Sequence, residues 1–148
     1  MKDCELKLKF EGYIIEKISL DRINESSDSK KEIGFMFKMI PDKESEFERV
    51  NIIEGVLIEP SKDFGYKLEV VICGNFRISN CEDDKEKYKF LLTNASAILF
   101  PYLRAAVSMV SSQIEFENVM LPVMNFYEVF SSQELEELLI DYKQFKEF

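Results

Sequence analysis

Apolar and polar residues alternate over residues 6–20. Leu6, Leu8, Phe10, Ile14, Ile18 and Leu20 share one parity, and Lys7, Lys9, Glu11, Lys17 and Ser19 share the other. A period of two over this length predicts a long, half-buried strand. Gly12 falls inside it and marks a candidate bulge or bend. The polar run 24–31 has turn formers and no period, so an exposed connection is expected there. Ile33, Phe35, Phe37 and Met39 then alternate in a second strand ended by Pro41. Its other parity, Gly34, Met36, Lys38 and Ile40, is also fairly apolar, so that strand needs cover on both faces or a ligand on one. Residues 50–59 read as a third strand, followed by a short connection at Pro60–Asp63. Residues 66–78 read as a fourth, with Tyr66, Leu68, Val70 and Ile72 on one face and Lys67, Glu69, Val71 and Cys73 on the other. Gly74 interrupts that pattern before Phe76.

From about Tyr88 to Gln113 the spacing becomes helical, with Ile98, Leu99, Tyr102, Val107 and Val110 recurring every three to five residues. Pro101 inside this stretch predicts a kink or the first turn of a second helix. Residues 116–130 are apolar and irregular. Ser131-Ser132-Gln133-Glu134 fits a capping box, and Leu135, Leu138, Leu139, Tyr142 and Phe145 form a helical stripe after it. Four strands followed by helices predict an α+β fold: an antiparallel sheet, read as a meander, with helices on one face.

Composition narrows the function. The chain has 148 residues, a length that suits a single domain over 1–148. Its formal net charge of −9 argues against gripping a phosphate backbone, so no nucleic-acid partner is expected. No apolar run reaches membrane-spanning length, and residues 1–6 lack a signal-peptide core, so no membrane partner and a cytoplasmic location are expected. Cys4, Cys73 and Cys81 include no CxxC pair and read as reduced thiols. Cys73, beside Gly74, reads as a small buried side chain rather than a reactive one. There are no histidines, which removes histidine acid–base catalysis, histidine-activated nucleophiles and histidine metal sites. No phosphate-binding loop is present. The acidic pairs Asp83-Asp84 and Glu136-Glu137 lack the spacing of a calcium loop. No enzyme activity, metal or cofactor is expected.

The densest local signal is Ile98-Leu99-Phe100-Pro101-Tyr102-Leu103-Arg104, followed by Ser108-Met109-Val110-Ser111 and then Pro122-Val123-Met124-Asn125-Phe126. Read physically, Phe-Pro-Tyr in an amphipathic helix is a kinked core helix. The first run also resembles the I-L-F-P-Y-x-R signature of the SecB protein-export chaperone family. The last resembles that family's P-V-N-F with one residue interposed. Ile18-Ser19-Leu20 and Gly74-Asn75-Phe76 resemble its I-S-F and G-x-F, in the same order along the chain.

The resemblance implies a four-stranded antiparallel sheet with a long helix and a C-terminal helix. It implies assembly as a homo-tetramer, a dimer of dimers, and ATP-independent holding of unfolded polypeptide clients for export. It places client contacts at Ile33, Phe35, Phe37 and Met39, with Phe116, Leu121, Met124 and Phe126 as the opposite wall. Flexible methionines and flat aromatics suit a groove that accepts many sequences. It places Tyr66, Leu68, Val70, Ile72, Phe100 and Tyr102 near subunit interfaces. For each set the alternative is ordinary core packing. The family's acidic docking patch for the SecA motor maps in part onto Asp21 and Glu69, but Lys17 and Lys67 stand where an acid and an apolar residue are expected, which weakens attraction to a basic segment. Some SecB-like proteins serve an antitoxin instead, so a dedicated chaperone of one partner stays open, as does a non-catalytic adaptor domain.

Overall fold

The computed structural model describes residues 7–23, 33–41, 49–61, 65–79, 85–114, 119–122 and 124–131. Four strands, β1 (Lys7–Arg22), β2 (Ile33–Pro41), β3 (Arg49–Ile58) and β4 (Tyr66–Ser79), precede α1 (Lys85–Ser111) and a short α2 (Phe126–Ser131). Each expected strand is present within two residues of its expected ends. The capping box and the stripe beyond residue 134 lie outside the described residues.

All neighbouring strands are antiparallel, in the order β1-β4-β3-β2. The sheet is therefore not a meander: β2, β3 and β4 follow one another, but β1 lies beside β4. Crossing from β1 to β2 covers three strand spacings, about 14 Å. The polar segment 24–31 has ample length for that. β4 offers β1 a partner of matching length, 14 residues against 16.

Alternation sorts the residues of β3 and β4 cleanly. Val50, Ile52, Val56 and Ile58 join Leu68, Val70, Ile72, Phe76 and Ile78 on the inner face, packed under Leu92, Ala95, Leu99, Leu103, Val107 and Val110 of α1. These helical positions recur every three or four residues and form one stripe. Each aliphatic side chain buried this way contributes roughly 1.5–3 kcal/mol. At Gly74 the helix packs tightly on the sheet: a Cβ there would lie 2.9 Å from Leu99 Cδ1 and from the Phe76 ring. The strand continues through Gly74, which is selected by contact rather than by a break. The second apolar parity of β2 is covered in part, with Ile40 buried, Met36 half-buried and Gly34 exposed. Ile40 and Met36 pack with Ile53, Val71 and Cys73 in a smaller cluster on the outer face.

β1 departs from simple alternation at two places. Glu11 and Gly12 together face Asn75, and a second irregularity falls at Glu16, between Ile15 and Lys17. Gly12 has φ +112°, a conformation that side chains rarely adopt. Each bulge exchanges the faces. Ile14 is thereby paired with Cys73 on the outer face, while Tyr13 and Ile15 turn inward beside Gly74 and Ile72. The single-parity assignment of Ile14 with Phe10 is corrected accordingly.

α1 runs unbroken through Pro101, whose ring faces solvent. Among the described residues, no helix is long and apolar enough to cross a membrane.

Candidate functional site

Ile33, Phe35, Phe37 and Met39 form a row along the inner face of β2, at one side of the sheet. Phe37 and Met39 are buried, while Ile33 and Phe35 are half-buried. The chain leaving α1 returns over this row. Polar contacts from α1 hold it there. The Val119 backbone N–H donates to Ser111 Oγ at 2.8 Å, and Arg104 Nε donates to the Leu121 carbonyl at 3.2 Å. Asn125 Oδ1 then accepts from the Glu128 N–H at 3.3 Å, capping α2.

These contacts set α2 with its aromatics on β2. Phe37 meets Phe126 and Phe130 edge to face, with ring centroids 5.3 and 5.6 Å away. Phe100 lies 5.2 Å from Phe126 and 6.3 Å from Phe35, so five phenyl rings form one cluster. Such pairs add about 0.5–1.5 kcal/mol each beyond their area. Leu121 and Phe126 are buried and Met124 is half-buried at the margin. Met120 and Tyr127 stand out into solvent on the same segment. Seven of the eight expected client-contact positions are therefore brought to one region, and Phe116 lies outside the described residues.

Phe130, Arg104 and Ser111 belong to this region without having been singled out by role. Arg104 closes the I-L-F-P-Y-x-R run, but its reach to a carbonyl 17 positions later depends on the folded return of the chain. Glu54 is a further member. It lies directly between Phe37 and Ile72 in cross-strand register, is 0% exposed, and neither carboxyl oxygen has a hydrogen-bond partner among the described residues. Burial pushes its pKa up to about 9, so it is a neutral acid at pH 7.

The positions expected at subunit interfaces divide. Leu68, Val70 and Ile72 are fully covered by this chain's own helix, and Phe100 belongs to the aromatic cluster, so these four act in the intrachain core. Tyr102 is exposed and Tyr66 half-buried. Tyr102 packs against Tyr13 and Phe10 at centroid distances of 4.7 and 5.3 Å. It continues into an apolar margin on β1, where Tyr13, Ile15 and Ile18 are 38%, 46% and 42% exposed.

Asp21 and Glu69 lie on the outer face. Asp21 faces Lys67 across the strands, and Glu69 bonds Lys17 Nζ at 2.8 Å. Both acids thus have cationic neighbours. Cys73 is buried, and burial together with the Glu16 charge pushes its thiol pKa up to about 12. It is no nucleophile. Among the described residues no group of acids and cysteines is placed to hold a metal ion.

A family model described as preprotein translocase subunit SecB matches residues 14–137, most of the chain. The chain belongs to the SecB family. A protein-export protein SecB from Anaplasma phagocytophilum is 37% identical over 67 residues, 44% of this chain; the match spans 42% of that relative. Among solved structures, a SecB-like chaperone of Mycobacterium tuberculosis, in complex with a ChAD peptide from an antitoxin, superposes with a TM-score of 0.63. It is 10% identical and the match covers 79% of this chain and 89% of that one. A protein of unknown function from Streptococcus agalactiae superposes with a TM-score of 0.53 at 13% identity, covering 80% and 99%. At these identities the two structures speak for the fold. The SecB fold is therefore established for this chain on both sequence and structure.

Proposed function

We propose that this SecB-family protein is an ATP-independent, non-catalytic holdase that binds non-native polypeptide over the aromatic row of β2. The carrying observation is the five-ring cluster, two of whose rings come from a short segment tied to α1 by the Ser111 and Arg104 hydrogen bonds and by the Phe100–Phe126 contact. Phe35, Ile33 and Met124 offer the accessible apolar margin. Displacement of 119–131 would bare Phe37 and Phe100 beneath. An unfolded client carries many apolar side chains, each worth roughly 1.5–3 kcal/mol when buried. Several weak contacts along one chain add through effective concentration. A folded client hides the same groups, so selectivity needs no sequence code. Protein export is the setting that the family description supports.

A second reading is a dedicated chaperone of one partner, for which the antitoxin peptide on the mycobacterial structure is the model. The Lys17–Glu69 ion pair, and Lys67 facing Asp21 across the strands, favour it over docking to a basic motor such as SecA, because a cation stands beside each acid. We further propose a homo-oligomer, with a tetramer as the family's expectation, built on the exposed apolar margin of β1.

The test is suppression of aggregation of a slow-folding client, added unfolded or native, without nucleotide. Only the unfolded client should be held. Phe35→Asp and Met124→Asp, at half-buried positions, should weaken holding about ten-fold or more, since each puts a carboxylate where an apolar group must dock. Equal holding by these variants would sink the assignment of the groove. Failure of the wild type to hold any unfolded client would leave the single-partner reading as the stronger one.

A further inference from the structure

The outer face of the sheet carries a charge pattern unrelated to the groove. Lys9 on β1 faces Arg77 on β4, and Arg77 faces Arg49 on β3. Three exposed cations therefore stand in one row across three adjacent strands. Strand spacing is about 4.8 Å, and like charges set directly opposite are destabilising. In a chain of net charge −9 such a row is not a product of composition. One step inward, Asn51 faces Asn75, although asparagine is depleted in strands. A single acid reaches the row among the described residues. Glu11 Oε1 accepts from Arg77 Nε at 3.1 Å. It is set there by the bulge at Gly12. Three cations and one acid leave a local charge of +2. Glu11, Arg49, Asn51 and Asn75, with Phe76 at the side, line an open pocket of about 450 Å³.

We propose that this pocket binds an acidic peptide segment, with one side-chain carboxylate seated on Arg49. The Glu11–Arg77 contact displays the same chemistry, a carboxylate on a guanidinium of this row. Arg49 supplies a planar set of donors suited to paired hydrogen bonds with a second carboxylate. The amides of Asn51 and Asn75 each offer a donor and an acceptor, as a flanking peptide group requires. That mixture fits a peptide with spaced acids better than a phosphate polymer, which asks for cations alone. Glu11 acts as an internal competitor that lowers affinity. The pocket is on the face opposite the aromatic row, so this assignment stands independently of the holdase reading.

The experiment uses the full chain and a fluorescent peptide of alternating glutamate and glycine, read by anisotropy. The wild type should bind it, and binding should weaken steeply as salt is raised. Arg49→Ala should lose about ten-fold in affinity, the loss expected for a hydrogen-bonded charge pair. Glu11→Gln should gain about three-fold, the scale of an exposed ion pair released. Arg49 and Glu11 are both exposed residues, and unchanged far-UV circular dichroism would verify folding. Equal binding of a glutamine-for-glutamate peptide, an unchanged Arg49→Ala affinity, or binding of tripolyphosphate but not of the peptide would each overturn the proposal.

Discussion

Glu54 puts a carboxyl group between Phe37 and Ile72, where both of its oxygens are buried and, among the described residues, without hydrogen-bond partners. Its folded pKa of about 9, against 4.5 ordinarily, makes stability depend on pH. Between those values the folded state holds a proton that the unfolded state has released, so the unfolded state binds fewer protons. Stability must then fall as pH rises from 4.5 to 9, by at most about 1.4 kcal/mol per pH unit for one group. It levels off above. Glu54→Gln removes the titration while keeping the shape. Its melting temperature should exceed that of the wild type at pH 8, and the gap should close as pH falls toward 4.5. Parallel melting curves for the two proteins across that range would refute the assignment. The sequence carried a signal for this position, a glutamate in phase with Val50, Ile52, Val56 and Ile58. Its meaning was hidden because alternation shows a shared face but not whether that face is covered.

At the scale of elements, the return of the chain over β2 depends on Arg104 and Ser111, two side chains of one helix. Each holds a backbone group of a segment that has no sheet or long helix of its own to satisfy it. Removing one such bond costs about 1 kcal/mol, and more where the freed group stays buried. Arg104→Ala with Ser111→Ala should therefore raise amide exchange across 119–131 by about ten-fold or more, with β3 and β4 unchanged. Exchange rising equally in the sheet, or nowhere, would show that these contacts do not hold the wall. The four strands and the long helix were legible because period two and period 3.6 each persist over many residues. The faces of β1 were not, since two bulges shift its phase, and only Gly12 left a trace of the first. Glu16 is an ordinary strand residue, so the second was invisible. The place of β1 beside β4 was hidden for another reason: local patterns encode strands and not their pairing. Phe35 and Phe37 stood out by alternation and Phe126 by the Pro122–Phe126 run, whereas the meeting of Phe100 with Phe35 and Phe126 was not legible, because a helix position does not reveal which neighbour its side chain meets.

Considered as a whole, the sheet ends in a long edge. β1 comes last in the strand order, and among the described residues no further strand pairs with its outer side. Isolated edges of this length are usually blunted by charge or covered. The residues beside it on the inner side are instead Tyr13, Ile15 and Ile18, which adjoin Tyr102 and leave the margin apolar and exposed. Lys9 and Lys17 protect only parts of the edge. In the homo-oligomer proposed above, a second copy of the chain would satisfy both needs at once: its own β1 would supply backbone partners, and its own margin would bury these side chains. Such an interface is isologous, so one substitution alters it twice. Ile18→Glu would bury two uncompensated carboxylates, at a cost of several kcal/mol. Because Ile18 is 42% exposed in the single chain, the fold itself should lose little. The expected result is a wild type heavier than one chain in light scattering and an Ile18→Glu protein of 17.4 kDa with native circular dichroism. A wild type that is monomeric at every concentration, or a variant with unchanged mass, would show that the margin on β1 is not where copies meet. If the variant is monomeric yet still holds unfolded clients, the groove on β2 works within one chain, and assembly serves to multiply grooves along a client rather than to build them.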